Sequence, residues 1–391
     1  MSLPLKGLRV IDLTQDFAGP FCTMILSDLG AEVIKVEKPV SGDETRAWGP
    51  PFVNGLSYYF LSLNRGKRSI ALDLKTSAAQ KVIRQLVQDS DVLVESFRPG
   101  TLARYTLDYS RLRRVNRALV YCSISGFGQT GPHRDRPGYD IMAFAMRGIM
   151  STTGEEDRPS VRVSIPVADI AAGHYASTAI LACLSRRLVT GRGDYIDISL
   201  YDSIVSWLSY LATYYFATGR EPVRMGSAHP SIVPYQAFGA KDREIIIAVG
   251  NDQQFQRLCQ SLGLEKLLEE RRFSTNPQRV RNRQQLVSIL SRRLREQSAA
   301  YWNRLLNQNG IPSAPVYKIG DVVRDSQVEH RGLFKKMKSG IPQMTSPIKL
   351  FKQKKRFSNP APTLGQDTVQ VLRELGYSKR AIKRITGNKA S

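Results

Sequence analysis

The sequence predicts an α/β protein in which crossover helices join the strands of a parallel sheet. Strand-like and helix-like segments alternate through roughly the first third of the chain, a pattern typical of such a sheet. No internal repeat of fixed period is present. The pattern of strand-like and helix-like segments changes near residue 225, where a separate α+β unit is predicted. The 391 residues, 42% of them hydrophobic, are enough for about two domains.

Each predicted strand of the sheet is a short apolar run, and each predicted helix has apolar residues at helical spacing. The strands are predicted at Leu8–Leu13, Ala31–Val36, Ser69–Leu72, Val92–Ser96 and Ala118–Ile124. The helices between them are predicted at Pro20–Leu29, with Gly30 as the C-cap, and at Ser77–Asp89. A long helical region follows from about Asp169 to Gly219, interrupted near Gly191–Gly193.

The α+β unit is predicted from one strand and several helical patterns. These are the strand Glu244–Val249 and the helices Gln253–Leu262, Arg283–Glu296 and Ala299–Asn309. Glycine and proline between Gly310 and Val316 mark its end. The remaining chain has short segments and a last predicted helix at Gln366–Leu375.

Composition excludes several classes of protein. No run of 18 or more apolar residues predicts a membrane span, and no secretory signal precedes the first strand, so we expect a cytoplasmic protein. The four cysteines lie far apart in apolar stretches and are predicted to be reduced: Cys22, Cys122, Cys183 and Cys259. The four histidines lack metal-ligand spacing, so no metal site is expected.

The charge is strongly basic, with 57 Lys and Arg against 34 Asp and Glu, a net of +23. The excess is greatest from Arg331 to Ser391, which has 15 basic and 2 acidic residues. Such a segment fits nucleic acid, an anionic membrane or a polyanionic ligand, and it equally fits a solvated basic surface. No RNA- or DNA-binding motif accompanies it, so nucleic acid is not the expected partner. A polyanion-binding protein remains an alternative function.

A glycine-rich segment, Gly126–Gly131, matches the spacing of a dinucleotide-binding loop. That function requires a helix to begin at once, so that the pyrophosphate meets unpaired N–H groups. Pro132 and Pro137 disfavour an early helix here. The sequence therefore predicts a tight loop near a ligand and not a nicotinamide site.

Asp169 is the best candidate for a catalytic residue. It opens a long apolar helix, and its small neighbours Ala168, Ala171, Ala172 and Gly173 leave room for a ligand. A carboxylate at a helix N-terminus is stabilised by about 0.3–1 kcal/mol, so we expect Asp169 to stay ionised and nucleophilic. An ordinary N-cap aspartate is the alternative from this stretch alone.

Several motifs together resemble the class III CoA-transferases, the family of formyl-CoA transferase and carnitine CoA-transferase. The matching segments cover nearly the whole chain: Pro4–Phe21, Leu29–Pro39, Gly42-Asp43 with Arg46, Asn64–Leu72, Val94–Gly100, Ser123–Pro132 and Val167–Gly173. The last of these is the family's nucleophile segment, which places the catalytic aspartate at Asp169. The glycine loop is likewise a family feature.

The resemblance implies a mechanism and a set of site residues. Asp169 would attack an acyl-CoA thioester and then carry CoA as an aspartyl thioester, with water excluded and the glycine loop offering N–H groups to the oxyanion. Coenzyme A would be a substrate, with no tightly bound cofactor. The residues implied for CoA are Lys38, Leu72, Lys75, Phe97 and Arg104, and those implied around the active site are Phe17, Trp48, Tyr59, Gly126, Gly128, Tyr139 and His229. Surface cations and core aromatics are the alternative roles for these positions.

Departures from the family pattern narrow the reaction. The 2-methylacyl-CoA racemases on this fold use a histidine before an aspartate, and here that position is Tyr139, followed by Asp140. A racemase remains the alternative enzyme. The formyl-CoA branch has a glutamine in the first turn and a glycine-rich loop in the smaller domain. Here the turn reads Gln15-Asp16-Phe17 and the region of that loop is Met225–Ser231, so formate and oxalate are not the expected acids. The segments Gly226–Phe238 and Gly250–Cys259 resemble the succinyl-CoA:glutarate enzymes, which implies a dicarboxylate acceptor and a role for His229 at its distal carboxylate.

The resemblance also implies a domain order and an assembly. A large Rossmann-like domain would be formed by both chain ends, 1–224 and 326–391, with the smaller α+β domain, 225–325, inserted between them. Two chains of this family interlock, so we expect a homodimer with acyl-CoA and carboxylic acid substrates.

Overall fold

A computed structural model describes residues 2–336, 341–350 and 359–387 of the chain. The chain forms two compact units. The larger unit comprises Met1–Ile149, Arg162–Ala217 and Arg331–Ser391, and the smaller unit comprises Met150–Val161 and Thr218–His330.

The larger unit is built on a six-stranded sheet in which every neighbouring pair of strands is parallel. The strands of this part of the chain are β1 Arg9–Leu13, β2 Glu32–Glu37, β3 Phe52–Val53, β4 Leu56–Ser57, β5 Arg68–Ala71, β6 Val92–Glu95, β7 Val120–Ser125 and β8 Tyr195–Ser199. The sheet has the order β5-β2-β1-β6-β7-β8, and β3 pairs only with β4. The predicted parallel sheet is therefore confirmed. The strand order reverses between β1 and β6, which is where parallel sheets commonly bind ligands.

Ten helices accompany these strands: α1 Ala18–Asp28, α2 Tyr58–Leu63, α3 Ser77–Gln88, α4 Thr101–Arg104, α5 Tyr109–Val115, α6 Asp140–Met146, α7 Ile149–Thr152, α8 Val167–Thr190, α9 Leu200–Val205 and α10 Ser209–Thr218. The core around the sheet includes the buried face of α3 and the inward side chains of β1, β2 and β6. No residue of α10 is buried in this chain.

Helices α1 and α8 pack closely against each other because Gly173 has no side chain. A Cβ atom at Gly173 would lie 2.7 Å from the Ala18 carbonyl oxygen and 2.9 Å from Phe21. This contact fixes the start of α1 against the first turns of α8. In the described part of the chain α8 is also the one helix long and apolar enough to cross a membrane, and a core helix of a soluble protein passes the same test.

The smaller unit has a three-stranded antiparallel sheet, β11-β10-β9, covered by helices. Its strands are β9 Tyr235–Gly239, β10 Glu244–Ala248 and β11 Ser313–Pro315, and its helices are α11 Asp252–Leu262, α12 Asn276–Arg281, α13 Arg283–Leu294, α14 Ala299–Gln308, α15 Ile319–Val323 and α16 Ser326–Arg331. Trp302, Phe273 and Phe255 are buried in its core.

The segment Met150–Val161 belongs to the smaller unit, although the predicted segments assign it to the large domain. Polar contacts explain the difference. The Arg224 guanidinium donates to the Arg158 carbonyl and to Ser160 Oγ, the latter at 2.9 Å, and Gly226 N–H donates to the Gly154 carbonyl at 2.8 Å.

The chain then returns to the larger unit. The return segment forms β12 Phe334–Lys336, β13 Pro342–Met344, α17 Thr368–Glu374 and α18 Lys379–Thr386. Asp367 accepts the Ser69 N–H at 2.8 Å, so the segment covers the edge strand β5. Part of the basic excess lies outside the described residues: Lys338, Lys352, Lys354, Lys355, Arg356 and Lys389.

Candidate active site

A cavity of about 360 Å³ opens at the carboxyl ends of β1, β6 and β7 in the larger unit. Its wall combines carboxyl groups, aromatic rings and small residues. The lining residues are Gln15, Asp16, Phe17, Ala18, Gly19, Trp48, Tyr59, Ser96, Ile124, Ser125, Gly126, Gly138, Tyr139, Asp140, Ile141, Arg162, Pro166, Asp169 and Leu200. The cavity therefore brings together Asp169 and five of the residues that the sequence analysis placed around it.

The turn after β1 forms one side of the cavity. Gln15 N–H donates to Ser96 Oγ at 3.0 Å, which ties this turn to the turn after β6. Asp16 has a left-handed backbone conformation, with φ at 65°, and its N–H is directed at Asp43 Oδ1 at 3.4 Å. Such a conformation costs a non-glycine residue free energy, so the surrounding contacts must hold it.

A buried ion pair supports this turn from below. Asp12 and Lys67 are fully buried, with 2.9 Å between Asp12 Oδ2 and Lys67 Nζ. Asp12 also accepts both N–H and hydroxyl of Thr14 and the hydroxyl of Thr23. Burial opposes ionisation of Asp12, but Lys67 and Lys35 outweigh it and hold the pKa of Asp12 far below its usual value. The remaining Lys67 hydrogen bonds go to the Pro20 carbonyl and to Asn64.

A second buried pair holds the other side of the turn. Lys35 Nζ donates to the Thr14 carbonyl and lies 2.8 Å from Asp43 Oδ2, and both side chains are fully buried. Asp43 Oδ1 accepts the N–H and hydroxyl of Thr45. The turn that carries Asp16 is thus connected to two lysines that are already paired with carboxylates.

Asp169 lies in the first turn of α8, and its carboxyl group lines the cavity. Burial, together with the negative charges of Asp140 and Asp16, raises the pKa of Asp169 to about 8. This direction is opposite to the one predicted for a carboxylate at a helix N-terminus. The helix end is already used: Asp140 Oδ1 accepts the Ala168 N–H at 2.8 Å, and the Asp140 carboxylate also accepts the Asp169 N–H.

Asp16 and Asp140 complete a group of three cavity carboxyls. Burial and the charges of Asp43 and Glu44 raise the pKa of Asp16 to about 6. Burial raises the pKa of Asp140 as well, against the hydrogen bonds from the N-terminus of α8. Asp140 and Asp16 disfavour the ionised form of Asp169, so the pKa of Asp169 lies well above that of an ordinary aspartate.

Aromatic rings form the apolar wall. The Tyr59 ring packs edge-on against Trp48, with centroids 4.8 Å apart, and against Phe17 at 5.9 Å. Ser57 donates to the Trp48 carbonyl and caps the helix that carries Tyr59. Burial and Asp169 raise the pKa of the Tyr59 hydroxyl, so it stays a neutral hydrogen-bond donor. Tyr139 is 57% exposed at the cavity rim.

Only part of the glycine loop reaches the cavity. Gly126 lines it and crosses Gly138 so closely that a Cβ at Gly126 would lie 2.8 Å from Gly138 Cα. Gly128 is not among the lining residues, and its N–H donates to Ser125 Oγ. The Gln129 N–H donates to Asp197. These two N–H groups are therefore already hydrogen-bonded and unsuited to the oxyanion role expected of this loop. As predicted, no helix opens after the loop before α6.

The residues implied for CoA follow strands β2, β5 and β6 at the same edge of the sheet. Lys38 and Lys75 are exposed, and Arg104 is exposed at the end of α4. Leu72 is buried in the core, and Phe97 packs against that core. None of the five lines the cavity, so their role in CoA binding remains a prediction.

His229 lies in the smaller unit. Its Nδ1 accepts the Ser231 N–H at 3.1 Å, and its ring packs against Tyr235. It is not among the residues that line the cavity of the larger unit. A role for His229 at the distal carboxylate of a substrate therefore remains a prediction. The contacts observed for His229 are those of a histidine in a loop.

Three charged residues of the cavity had been given no site role from the sequence: Asp16, Asp140 and Arg162. Asp16 follows a strand end, which is a signal that could have identified it. Asp140 precedes an apolar helical run and so resembles an ordinary helix start, whereas it caps a different helix. Arg162 lies between Val161 and Val163 in a segment without a recognisable motif and offers no local signal. Over the described residues, no cluster of His, Cys, Asp or Glu could hold a metal ion.

Comparison with known proteins identifies relatives over nearly the full chain. The model of the family described as CoA-transferase family III matches residues 5–368. The succinyl-CoA:glutarate CoA-transferase of Mus musculus is 44% identical over 389 residues, covering 98% of this chain and 89% of the mouse protein. The succinate–glutarate CoA-transferase of Agrobacterium fabrum is 41% identical over 392 residues, covering 96% and 97%. The crystal structure of a CAIB/BAIF family protein from Brucella suis superposes with a TM-score of 0.87 at 41% identity, covering 96% of this chain and all of that one.

Proposed function

The chain belongs to CoA-transferase family III, and from that premise we propose that it transfers CoA from succinyl-CoA to a dicarboxylic acid through a thioester on Asp169. Enzymes of this type use CoA thioesters as substrates. The observation that carries the proposal is the Asp169 carboxyl in a cavity at the reversal of strand order, where parallel sheets bind ligands. Relatives at 41–44% identity that act between succinate and glutarate support the choice of acids.

The proposed chemistry is two exchanges at one carboxyl group. The Asp169 carboxylate attacks the thioester carbon, which releases CoA thiolate and leaves a mixed anhydride. The thiolate attacks the aspartyl carbonyl, which forms the aspartyl-CoA thioester and releases the donor acid. The acceptor carboxylate repeats these steps in reverse and regenerates Asp169. No net proton transfer occurs, so the side chain must only be ionised at the outset.

The cavity wall suits unstable intermediates. Anhydrides and thioesters hydrolyse, so the site must keep water from the reacting carbonyl. Phe17, Trp48 and Tyr59 form an apolar wall beside Asp169, and the Tyr59 hydroxyl remains protonated. No histidine lines the cavity in the described residues, and a racemase would need one as its second proton carrier. The arrangement favours acyl transfer.

Intact mass spectrometry tests the proposal. The protein is incubated with succinyl-CoA, and a gain in mass of one CoA less one water is expected on the wild type. Asp169→Ala should show no such gain, whereas Asp89→Ala, which removes an exposed carboxyl at the C-terminal end of α3, should react as the wild type does. Absence of an adduct with every acyl-CoA, together with loss of configuration in a chiral 2-methylacyl-CoA, would favour the racemase.

The pKa of Asp169 predicts a pH dependence. Because the attacking form is the carboxylate, the rate of adduct formation at low succinyl-CoA should rise with pH and level off above about 8. Asp140→Asn keeps an oxygen that can accept the Ala168 N–H but removes a negative charge near Asp169. The midpoint should therefore move to lower pH. Stopped-flow or quenched single-turnover rates between pH 5 and 10 would measure it. Asp89→Asn is the control, and an unmoved or higher midpoint in Asp140→Asn contradicts this assignment.

The proposed assembly is an interlocked homodimer. Helix α10 supports it, because its aromatic side chains are exposed in one chain, including Phe216 at 82%. A helix with several exposed aromatic side chains and no buried residue favours an interaction surface. Sedimentation equilibrium should give twice the 43.8 kDa chain mass, and a monomer at micromolar concentration would refute the dimer.

A further inference from the structure

A dicarboxylic substrate leaves one carboxylate that takes no part in the exchange. In the proposed function, the first carboxyl group becomes the thioester and loses its charge, while the distal one keeps it. That distal group enters a cavity that already contains the carboxyls of Asp16, Asp140 and Asp169. An additional anion among like charges is disfavoured unless a cation balances it.

Arg162 is the one cation among the lining residues in the described parts of the chain. The two lysines nearest the turn after β1 are not available to a ligand. Lys35 and Lys67 are fully buried, and each is paired with a carboxylate at 2.8 or 2.9 Å. Arg162, by contrast, is exposed, so a ligand in the cavity can reach its guanidinium.

Arg162, Asp140 and Asp169 line the same cavity. Arg162 stabilises the ionised form of Asp140. Asp140 Oδ1 in turn accepts the N–H of Ala168, the residue that precedes Asp169. A substrate with one end at Asp169 can extend past Asp140 and place its other end at Arg162.

Asp16 disfavours placement of the distal carboxylate at the other end of the cavity, near the turn after β1. Its Oδ1 atom is buried and accepts no hydrogen bond. The neighbouring carboxylates of Asp43 and Glu44 add negative charge on that side, which Lys35, the ion-pair partner of Asp43, offsets only in part. A carboxylate directed toward the turn after β1 would meet repulsion, whereas one directed toward Arg162 would gain a paired contact. Guanidinium binds carboxylate with two parallel hydrogen bonds, which gives both affinity and orientation.

We propose that Arg162 is a specificity-determining residue that binds the distal carboxylate of a dicarboxylic acyl-CoA or acid. The assignment rests on the proposed function, because it presupposes that the other end of the substrate reacts at Asp169. It makes Arg162 a binding residue with no part in the covalent steps. Its removal should therefore change the choice of substrate and leave the chemistry at Asp169 intact.

The test uses two donors of equal chain length that give the same enzyme adduct. Succinyl-CoA has the distal carboxylate and butyryl-CoA lacks it, yet both leave CoA on Asp169. In Arg162→Gln, the adduct-forming kcat/KM should fall roughly 10- to 100-fold for succinyl-CoA and stay within about 2-fold for butyryl-CoA. Arg162→Lys should retain part of the preference, because it keeps the charge but loses the paired geometry. Arg114→Gln, an exposed arginine outside the cavity, is the matched control.

Transfer of CoA from the Asp169 adduct to an acceptor acid tests the role of Arg162 in the second half of the reaction. In the wild type, glutarate should accept CoA from the adduct with a higher kcat/KM than pentanoate. In Arg162→Gln this difference in kcat/KM should shrink by a similar factor. Equal losses for both members of each pair, or no loss in either, would overturn the assignment. Failure of the wild type to form any adduct would instead refute the proposed function, and that result is seen before any variant is made.

Discussion

Replacing Asp169 with alanine is expected to lower the rate of CoA transfer by at least ~10⁴-fold while the protein stays folded. The side chain is the proposed nucleophile, and without it neither the anhydride nor the aspartyl thioester can form. The two other cavity acids do not replace it, because Asp140 binds the N-terminus of α8 and Asp16 is held by the turn after β1. Initial rates of glutaryl-CoA formation from succinyl-CoA and glutarate would measure the loss.

Two further substitutions at this position separate chemistry from folding. Asp169→Glu keeps the carboxylate but displaces it by about one methylene, and a loss of about 10²-fold is expected. Asp169→Asn should be inactive, yet more stable than the wild type at high pH. The reason is that the pKa of Asp169 is raised on folding, so its ionisation costs stability as pH rises from the unfolded value to about 8. Denaturant unfolding at pH 6 and pH 9 measures this difference, and transfer activity in Asp169→Ala above ~1% of wild type would refute the nucleophile.

The second large effect is expected on stability. Lys67→Met should lower the free energy of unfolding by about 3–5 kcal/mol, because it leaves the buried Asp12 carboxylate without its ion-pair partner. The substitution also removes the donors to the Pro20 carbonyl and Asn64. Residual folded protein should lose activity too, since the same contacts position the turn that carries Asp16.

Arg9→Met is the matched control for this experiment. Arg9 pairs with Glu32 at 2.8 Å, but about a third of each side chain is exposed to solvent. Removal of that pair should cost no more than about 1 kcal/mol. Urea unfolding monitored by circular dichroism gives both values. A cost for Lys67→Met no larger than that for Arg9→Met would mean that the buried pair does not hold this turn.

The strands and helices could be predicted where local sequence decides the structure. The apolar runs of β1, β2 and β6 and the spacing of α3 gave bounds within one or two residues of those observed. Strand β8 was missed, because the interrupted helical pattern from Asp169 to Gly219 masks its five residues. Strand β8 pairs with β7, as in Tyr121 opposite Tyr195, and the alternation of Ile196 and Ile198 with polar residues is too short to outweigh the helical pattern around it.

The candidate nucleophile could also be located from the sequence, but its ionisation could not. Asp169 was expected to benefit from the helix end. That benefit goes instead to Asp140, a residue 28 positions before Ala168, whose carboxylate binds the same N–H groups. Asp16, in the turn after β1, adds a third charge. The pKa of Asp169 depends on residues from three segments of the chain that meet only in the folded protein. It therefore cannot be predicted from any one sequence motif.

The larger unit is formed by three separate stretches of the chain, and this affects how the protein folds during translation. The edge strand β5 is covered by the return segment through contacts such as that of Ser69 with Asp367, which are 298 positions apart. On the ribosome, the smaller unit can therefore finish folding while β5 still presents an open edge, because the segment that shields it has not been translated. Nascent chains of this protein spend that interval exposed to edge-to-edge aggregation, and a chaperone that binds open strands would raise the yield.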